Sequence, residues 1–269
     1  MEFGICLNVV DLLREDPGKL DEQLCAIAEA GFTYVEINIV PCAGADNIEL
    51  DAIKAALSKN GLKARRGFIL FPGDIKVVGP ERNEETIKDY LNKALPKLKA
   101  LGVDAVVFGS GGARHIPEGF SYDEAFAQFC ETAGLTAELA AGHGIKVALE
   151  HLNPKDCNLL VTIKETVEVI RKINHPNCGL TFDIYHVDER TGDIYNVIKA
   201  KDVLFHSHTA IPKSRLYPTP EDAEALKNYF SILKDAGYNG TVSIEGTLRD
   251  NKSFEENMTD AFKALTGLL

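Results

Sequence analysis

The chain has 269 residues, enough to bury a large core, and its 45% hydrophobic and 26% charged residues are typical of a soluble globular protein. Its formal net charge of -11 argues against a nucleic-acid-binding protein, because such proteins usually carry a basic surface. The 6 cysteines form no C-x-x-C pair, no apolar run approaches the roughly 20 residues that span a bilayer, and the amino terminus lacks the basic flank of a signal peptide. We therefore expect a cytoplasmic protein without nucleic-acid or membrane partners.

Short apolar segments alternate with longer amphipathic stretches along the whole chain. The predicted strands are 3–7, 34–38, 64–70, 105–109, 146–150, 179–183, 203–208 and 241–245, each rich in Val, Ile, Leu or Phe. The predicted helices are 19–30, 50–60, 84–101, 122–141, 163–173, 194–199, 220–236 and 254–268. Several helices end at a glycine just before the next strand, which is typical of a short return to a parallel sheet.

This alternation predicts an α/β fold, a (β/α)8 TIM barrel that forms a single domain over residues 1–269. The main alternative is a doubly wound open sheet. No G-x-G-x-x-G motif opens a helix after the first strand, which removes the usual reason for preferring that alternative. The glycine-rich segment 109–115 follows strand four but lacks a helix start at phosphate-binding spacing.

Four consecutive predicted strands each end in a potential metal ligand. The residues are Glu150, Asp183, His208 and Glu245. One carboxylate at a strand end often caps the next helix, but four such residues directly after apolar runs are hard to explain as independent caps. Three carboxylates at one barrel rim would repel one another, and a divalent cation removes that repulsion. The oxygen-rich set predicts one divalent metal ion, with Mn²⁺ preferred and Mg²⁺ or Co²⁺ as alternatives.

Further polar residues belong to the same end of the predicted barrel. His206 alternates with His208 on strand seven, so the two side chains face the same side one layer apart, and we expect His206 to be a second-layer partner. His186 lies three residues after Asp183 and can reach a substrate oxygen. Glu36 ends strand two, where it can bind a substrate hydroxyl or serve a structural role.

Four segments carry a resemblance to a known family: ALEHLNPKDCNLL, LTFDIYHV, HSHTAIPKSRLYP and VSIEG, in this order and spacing. They resemble the xylose-isomerase-like superfamily of sugar isomerases and epimerases, and most of all its D-tagatose 3-epimerase and ketose 3-epimerase branch. The resemblance spans nearly the whole chain. It implies that the four strand-end residues bind the metal ion and that Glu150 and Glu245 also form the catalytic acid–base pair.

The resemblance also implies contacts to a small sugar or sugar derivative. His186 would bind a hydroxyl or carbonyl region of the substrate. Asp156 stands where the epimerases have a glutamate that orients the first catalytic carboxylate. Relatives carry an acid and an arginine after the histidine ligand, at positions occupied here by Ile211 and Ser214, and we expect Arg215 to replace that arginine. The analogy with relatives implies a homodimer or a homotetramer.

The expected chemistry is epimerisation through a metal-stabilised enediolate, with two glutamates exchanging protons on opposite faces of the sugar. Two alternatives use the same site: aldose–ketose isomerisation, as in hydroxypyruvate isomerase relatives, and dehydration of a keto-sugar or inosose. A DNA-repair nuclease resembling endonuclease IV is a remote alternative, because strands three and four here do not end in the histidines of that family. A non-enzymatic sugar-binding module is a further alternative.

Overall fold

The structure, a computed structural model, describes residues 1–187 and 192–269. Its strands close into one parallel barrel in which neighbours in sequence are neighbours in space and the last strand pairs with the first. The strands are β1 (Glu2–Leu7), β2 (Tyr34–Asn38), β3 (Lys63–Phe68), β4 (Ala105–Phe108), β5 (Lys146–Glu150), β6 (Cys178–Asp183), β7 (Leu204–Thr209) and β8 (Thr241–Ile244). The predicted (β/α)8 barrel is confirmed.

Helices surround this barrel and connect successive strands. They are α1 (Val9–Glu15), α2 (Pro17–Ala30), α3 (Ile39–Gly44), α4 (Asn47–Lys59), α5 (Glu84–Leu101), α6 (Gly111–Arg114), α7 (Tyr122–Ala141), α8 (Ile163–Ile173), α9 (Asn196–Lys199), α10 (Ala223–Asp235) and α11 (Phe254–Thr266). Short 3-10 turns precede α9 and α10, at Asp193–Tyr195 and Pro220–Asp222. Within the described residues, no helix combines the length and the apolar character required to cross a membrane.

The structure differs from the predicted elements mainly at their ends. Helix α2 begins two residues early because the Asp16 side chain accepts hydrogen bonds from the backbone N–H groups of Gly18 and Lys19. Strand β3 stops at Phe68 rather than Leu70, because Ile69 has a φ of 55°, in the left-handed region that ends a strand. The short helices α1, α3 and α6 were not predicted, since they are too brief for a periodic pattern.

The apolar core lies between the helices and the outside of the barrel, whereas the inside of the barrel is largely polar. On α5, Ile87, Leu91, Leu95 and Leu98 recur every three or four residues and are fully buried. Inside the barrel, buried Tyr, Glu, Arg, His, Thr and Ser side chains come from β2, β3, β7 and β8. A polar interior of this kind must satisfy its own hydrogen bonds, because water does not reach it.

Candidate active site

Strands β5 to β8 bring the four predicted metal ligands to one end of the barrel. Glu150 and Asp183 are the last residues of β5 and β6, and Glu245 follows β8 directly. Asp183 lies beside His208 in the register of β6 and β7. The side chains of three of them, Glu150, Asp183 and His208, are almost completely buried. The parallel register of the barrel therefore assembles residues that are distant in sequence.

The distances within this cluster are short. His208 Nδ1 lies 2.9 Å from Glu150 Oε1 and 3.5 Å from Glu245 Oε2. One ligand atom each from Glu150, Asp183, His186 and Glu245 lies within 4.8 Å of the others. Two histidines thus lie close to the three carboxylates. The predicted ligand His208 contacts two of the carboxylates, and His186 approaches the third.

The hydrogen bonds of His186 separate the roles of the two histidines. The backbone N–H of Asn153 lies 3.2 Å from His186 Nδ1, and a backbone N–H can only donate, so Nδ1 is an acceptor there. Burial lowers the pKa of His186 to about 2, which leaves the ring neutral with its hydrogen on Nε2. Nε2 lies 3.5 Å from Asp183 Oδ2, without a hydrogen bond between the two atoms. A nitrogen that carries a hydrogen cannot bind a metal ion, so this geometry favours His186 as a donor to oxygen.

The carboxylates of the cluster crowd one another in a buried space. Burial, followed by the charge of Glu150, raises the pKa of Asp183 well above its usual range. Burial also raises the pKa of Glu150. For His208, burial alone would lower the pKa, but the charges of Glu36 and Glu150 outweigh it and raise the pKa well above the ordinary value. A nearby positive charge therefore stabilises these carboxylates, and the His208 side chain lies where it can supply part of that charge.

A divalent cation fits this donor set. Asp183 Oδ1 accepts a hydrogen bond from the backbone N–H of Tyr185 at 2.8 Å, but Oδ2 is buried and has no hydrogen-bond partner among residues 1–187 and 192–269. A buried anionic oxygen without a partner is costly unless a cation binds it. Three carboxylates and one imidazole are the ligands that Mn²⁺ and Mg²⁺ accept.

The predicted substrate contacts lie around a cavity above this cluster. The cavity has a volume of about 280 Å³, and its walls include Glu150, Asp156, His186, Arg215 and Glu245. The Arg215 guanidinium donates to Glu245 Oε2 over 2.8 Å and lies 4.8 Å from the centre of the Tyr185 ring. Asp156 Oδ2 accepts from the Asn153 side chain at 2.7 Å and lies 3.6 Å from His186 Nδ1. These residues can orient a small polar molecule beside the carboxylates.

Glu36 occupies a different place from the other predicted substrate contacts. Its side chain is completely buried and does not line the cavity. One carboxylate oxygen lies 3.0 Å from His208 Nε2, and the other lies 2.8 Å from His206 Nε2. This geometry favours the structural role for Glu36 over hydroxyl binding. His206 is buried as well, and its Nε2 contacts the same Glu36 carboxylate that His208 contacts.

Several residues of the site were not recognised in the sequence. Gly109 matters for its lack of a side chain, because a Cβ there would lie 2.1 Å from Glu150 Oε2. The other cavity walls include Phe68, Ile69, Phe71, Ser110 and Leu152. The glycine-rich segment 109–115 was the available signal, but its glycines admit a neighbouring carboxylate and form a cavity wall. Periodicity cannot reveal such a contact.

Cys6 forms a second group of potential ligands with Glu36 and His208, within 4.8 Å of one another. Burial, followed by the charge of Glu36, raises the pKa of the Cys6 thiol well above its usual range. A thiol that keeps its hydrogen is a poor metal ligand, since the thiolate is the form that binds. The carboxylate cluster is therefore the better candidate for a metal centre.

Two curated relatives are similar to this chain over most of their length. The chain is 26% identical to a ketose 3-epimerase of Arthrobacter globiformis over 224 residues, which cover 81% of this chain and 74% of the relative. It is 25% identical to a D-psicose 3-epimerase of Ruminiclostridium cellulolyticum over 236 residues, which cover 83% of this chain and 76% of the relative.

A solved structure agrees with the barrel architecture. The D-allulose 3-epimerase from Methylomonas sp. superimposes with a TM-score of 0.83 at 22% identity, covering 100% of this chain and 98% of that one. At this identity the likeness concerns the fold alone. A family profile described as xylose isomerase-like TIM barrel matches residues 24–266. The chain therefore belongs to the xylose isomerase-like TIM barrel family.

Proposed function

We propose that this chain is a divalent-metal-dependent sugar epimerase that acts on ketoses, with Glu150 and Glu245 as the acid–base pair. The similarity to relatives that are named epimerases identifies the chain as an isomerase or epimerase. The metal dependence, the ketose substrate and the two catalytic glutamates are what we add to that assignment. The observation that carries the proposal is a pair of carboxylates, Glu150 and Glu245, that line the same cavity. Both lie close to Asp183, whose Oδ2 atom has no hydrogen-bond partner among the described residues.

Glu150, Asp183, His208 and Glu245 would hold the metal ion, and Mn²⁺ is the ion that we expect. When bound, the cation acts as a Lewis acid on the carbonyl and neighbouring hydroxyl oxygens of the sugar, which makes the adjacent C–H bond more acidic. The protein side chains bind the sugar, orient it and transfer the proton.

The proton moves between the sugar carbon and the two glutamates. One carboxylate removes the hydrogen from the carbon beside the carbonyl, and the other returns a hydrogen to the opposite face, which inverts the centre. Arg215 fixes the Glu245 carboxylate through the 2.8 Å contact, so that this group keeps one orientation as the sugar enters. His186 and Asp156 stand on the cavity wall, where they can bind hydroxyl groups of the substrate.

Solvent exchange tests this proposal directly. The protein is incubated with Mn²⁺ and a panel of ketoses in deuterated water, and the products are examined by NMR. We expect deuterium at the carbon beside the carbonyl, together with the epimer at that carbon. An aldose product would indicate aldose–ketose isomerisation, and loss of a hydroxyl would indicate dehydration. No exchange into any keto-sugar of the panel would contradict the proposal.

A further inference from the structure

A chain of polar side chains crosses the interior of the barrel beneath the carboxylate cluster. Its members are Arg66 on β3, Thr241 and Ser243 on β8, His206 on β7, and Glu36 and Tyr34 on β2. They are buried, with Arg66 the most exposed at 7%. Because water does not reach these groups, their hydrogen bonds must run between them, and the direction of each bond follows from chemistry.

The direction is set at Arg66, which can only donate. Its Nε lies 3.1 Å from Thr241 Oγ1, so the threonine hydroxyl accepts there. Thr241 Oγ1 also lies 2.8 Å from His206 Nδ1. In the hydrogen bonds found among the described residues, Nδ1 of His206 is the acceptor beside this hydroxyl, and the threonine donates its hydrogen to it. The Nη1 group of Arg66 donates to the Arg65 carbonyl and to the Asp104 carboxylate.

The same direction continues through His206 to Glu36. With Nδ1 acting as acceptor, the neutral His206 ring carries its hydrogen on Nε2, which donates to Glu36 Oε2 at 2.8 Å. Ser243 Oγ lies farther from the same nitrogen, at 3.3 Å, and bonds in turn to the Tyr34 hydroxyl at 2.9 Å. Ser243 therefore accepts at most a share of that hydrogen. The short contact is the one to the carboxylate.

The last contact joins this chain to the candidate metal centre. Glu36 Oε1 lies 3.0 Å from His208 Nε2. Because an ionised carboxylate can only accept hydrogen bonds, the nitrogen at this distance must be the donor. Nε2 of His208 therefore carries a hydrogen, and Nδ1 is the nitrogen that faces Glu150 and Glu245. A histidine ligand held in this way by a carboxylate has its tautomer and ring orientation fixed.

We propose that Arg66, Thr241, His206 and Glu36 form a directed hydrogen-bond chain that fixes the tautomer of His208 and presents its Nδ1 to the metal ion. Glu36 and the residues behind it are positioning residues, since none of them lines the cavity. The proposal rests on the metal centre of the proposed function. Its first half, the tautomer of His206, concerns the metal-free protein as well and can be tested separately.

The first test is ¹⁵N NMR of histidine-labelled protein without metal. We expect His206 to carry its hydrogen on Nε2 in the wild-type chain. In Thr241→Val, which removes the hydroxyl at nearly constant volume, His206 loses the donor to Nδ1 and its nitrogen shifts change. Thr136→Val is the matched control, because Thr136 is also fully buried and donates one hydrogen bond, to the Thr132 carbonyl on α7. An Nδ1–H tautomer of His206 in the wild-type protein would overturn the proposal.

The second test measures Mn²⁺ binding by calorimetry. Glu36→Gln is expected to weaken Mn²⁺ binding by about 10- to 100-fold, the range for a lost partner of a histidine ligand. Thr241→Val is expected to weaken it by up to about tenfold, and Thr136→Val to leave it unchanged. Circular dichroism confirms that each variant is folded.

The two tests separate this proposal from the proposed function. A wild-type protein that binds no Mn²⁺ would contradict the metal centre, while the His206 tautomer would still decide whether the chain has the stated direction. A wild-type protein that binds Mn²⁺, alongside a folded Glu36→Gln variant of equal affinity, would refute the positioning role alone.

Discussion

At the scale of single residues, the candidate site depends on small distances that separate similar side chains into different roles. Glu150 and Glu245 reach the cavity, Asp183 keeps one oxygen without a partner among the described residues, and Glu36 is enclosed by two histidines. All four are acidic, yet only their surroundings distinguish a catalytic group from a ligand or a positioning residue.

The acid–base assignment makes a prediction for Glu245. Replacing Glu245 with Gln removes a proton-transferring group but keeps the shape of the side chain, so we expect turnover to fall by about 10²- to 10⁴-fold. Rates on the best ketose of the panel provide the measurement, with Mn²⁺ at a concentration that saturates the variant. Wild-type turnover in this variant would show that Glu245 is not part of the pair. Glu150→Gln should behave alike.

Gly109 provides a second prediction. Replacing it with Ala places a Cβ 2.1 Å from Glu150 Oε2, and the carboxylate must move because its end is the flexible part of the contact. We expect lower turnover and weaker Mn²⁺ binding with little loss of thermal stability. Gly44→Ala on α3 is the control, since no atom lies within 4 Å of the added Cβ. Full activity in Gly109→Ala would show that Glu150 does not need its present position.

At the scale of elements, helix ends are fixed by short polar motifs that periodicity does not detect. Asp46 and Glu49 at the start of α4 bond to each other's backbone N–H groups, with distances of 2.9 Å in both directions. The apolar pattern placed this helix start at Leu50, three residues late. The capping pair is visible in the sequence, but it has to be sought separately from the apolar stripe.

The cap of α4 can be tested by substitution. Asp46→Ala removes the acceptor for a backbone N–H of the first turn and should cost about 1 kcal/mol in the free energy of unfolding. Urea denaturation followed by circular dichroism measures this change. Asp51→Ala on the same helix is the control, because its side chain is 77% exposed and its change should stay within about 0.5 kcal/mol. Equal losses in the two variants would argue against a capping effect.

The sequence was sufficient for the strands and for the polar residues at the ends of β5 to β8, for one physical reason. Buried parallel strands are apolar runs, and a charged residue directly after such a run is conspicuous. The sequence was insufficient to assign roles to Glu36 and His186, because each role depends on which atoms lie about 3 Å from the side chain. The contacts of Arg66 likewise cannot be deduced from the sequence, and the structure pairs this buried side chain with Thr241 and Asp104.

At the scale of the whole molecule, the proposed metal centre connects both halves of the chain. Its ligands come from β5 to β8, whereas the Glu36 contact to His208 comes from β2. A bound cation would therefore stabilise the closed barrel rather than one element. Ligands that bind only the folded state raise its stability by mass action.

Metal removal tests this connection. Treatment with a chelator should lower the Tm. Addition of Mn²⁺ at about 100 times its Kd should then raise the free energy of unfolding by about 2.7 kcal/mol. Asp183→Asn provides the control, because it removes one of the crowded carboxylates. Its Tm without metal should match or exceed that of the wild-type protein, and Mn²⁺ should not raise it. A rise in this variant equal to that of the wild-type protein would exclude Asp183 as a ligand.

The barrel places its functional groups on two kinds of support. Three of the four proposed ligands lie in strands and the fourth directly follows one, whereas Asp156 and Arg215 lie in the segments after β5 and β7. Arg215 is held there by a backbone conformation with a φ of 58°. Evolution can therefore lengthen or replace these segments to admit a new substrate while the strands keep the proposed metal ligands in place. Under the proposed function, such a scaffold can accept different sugars and retain the same reaction.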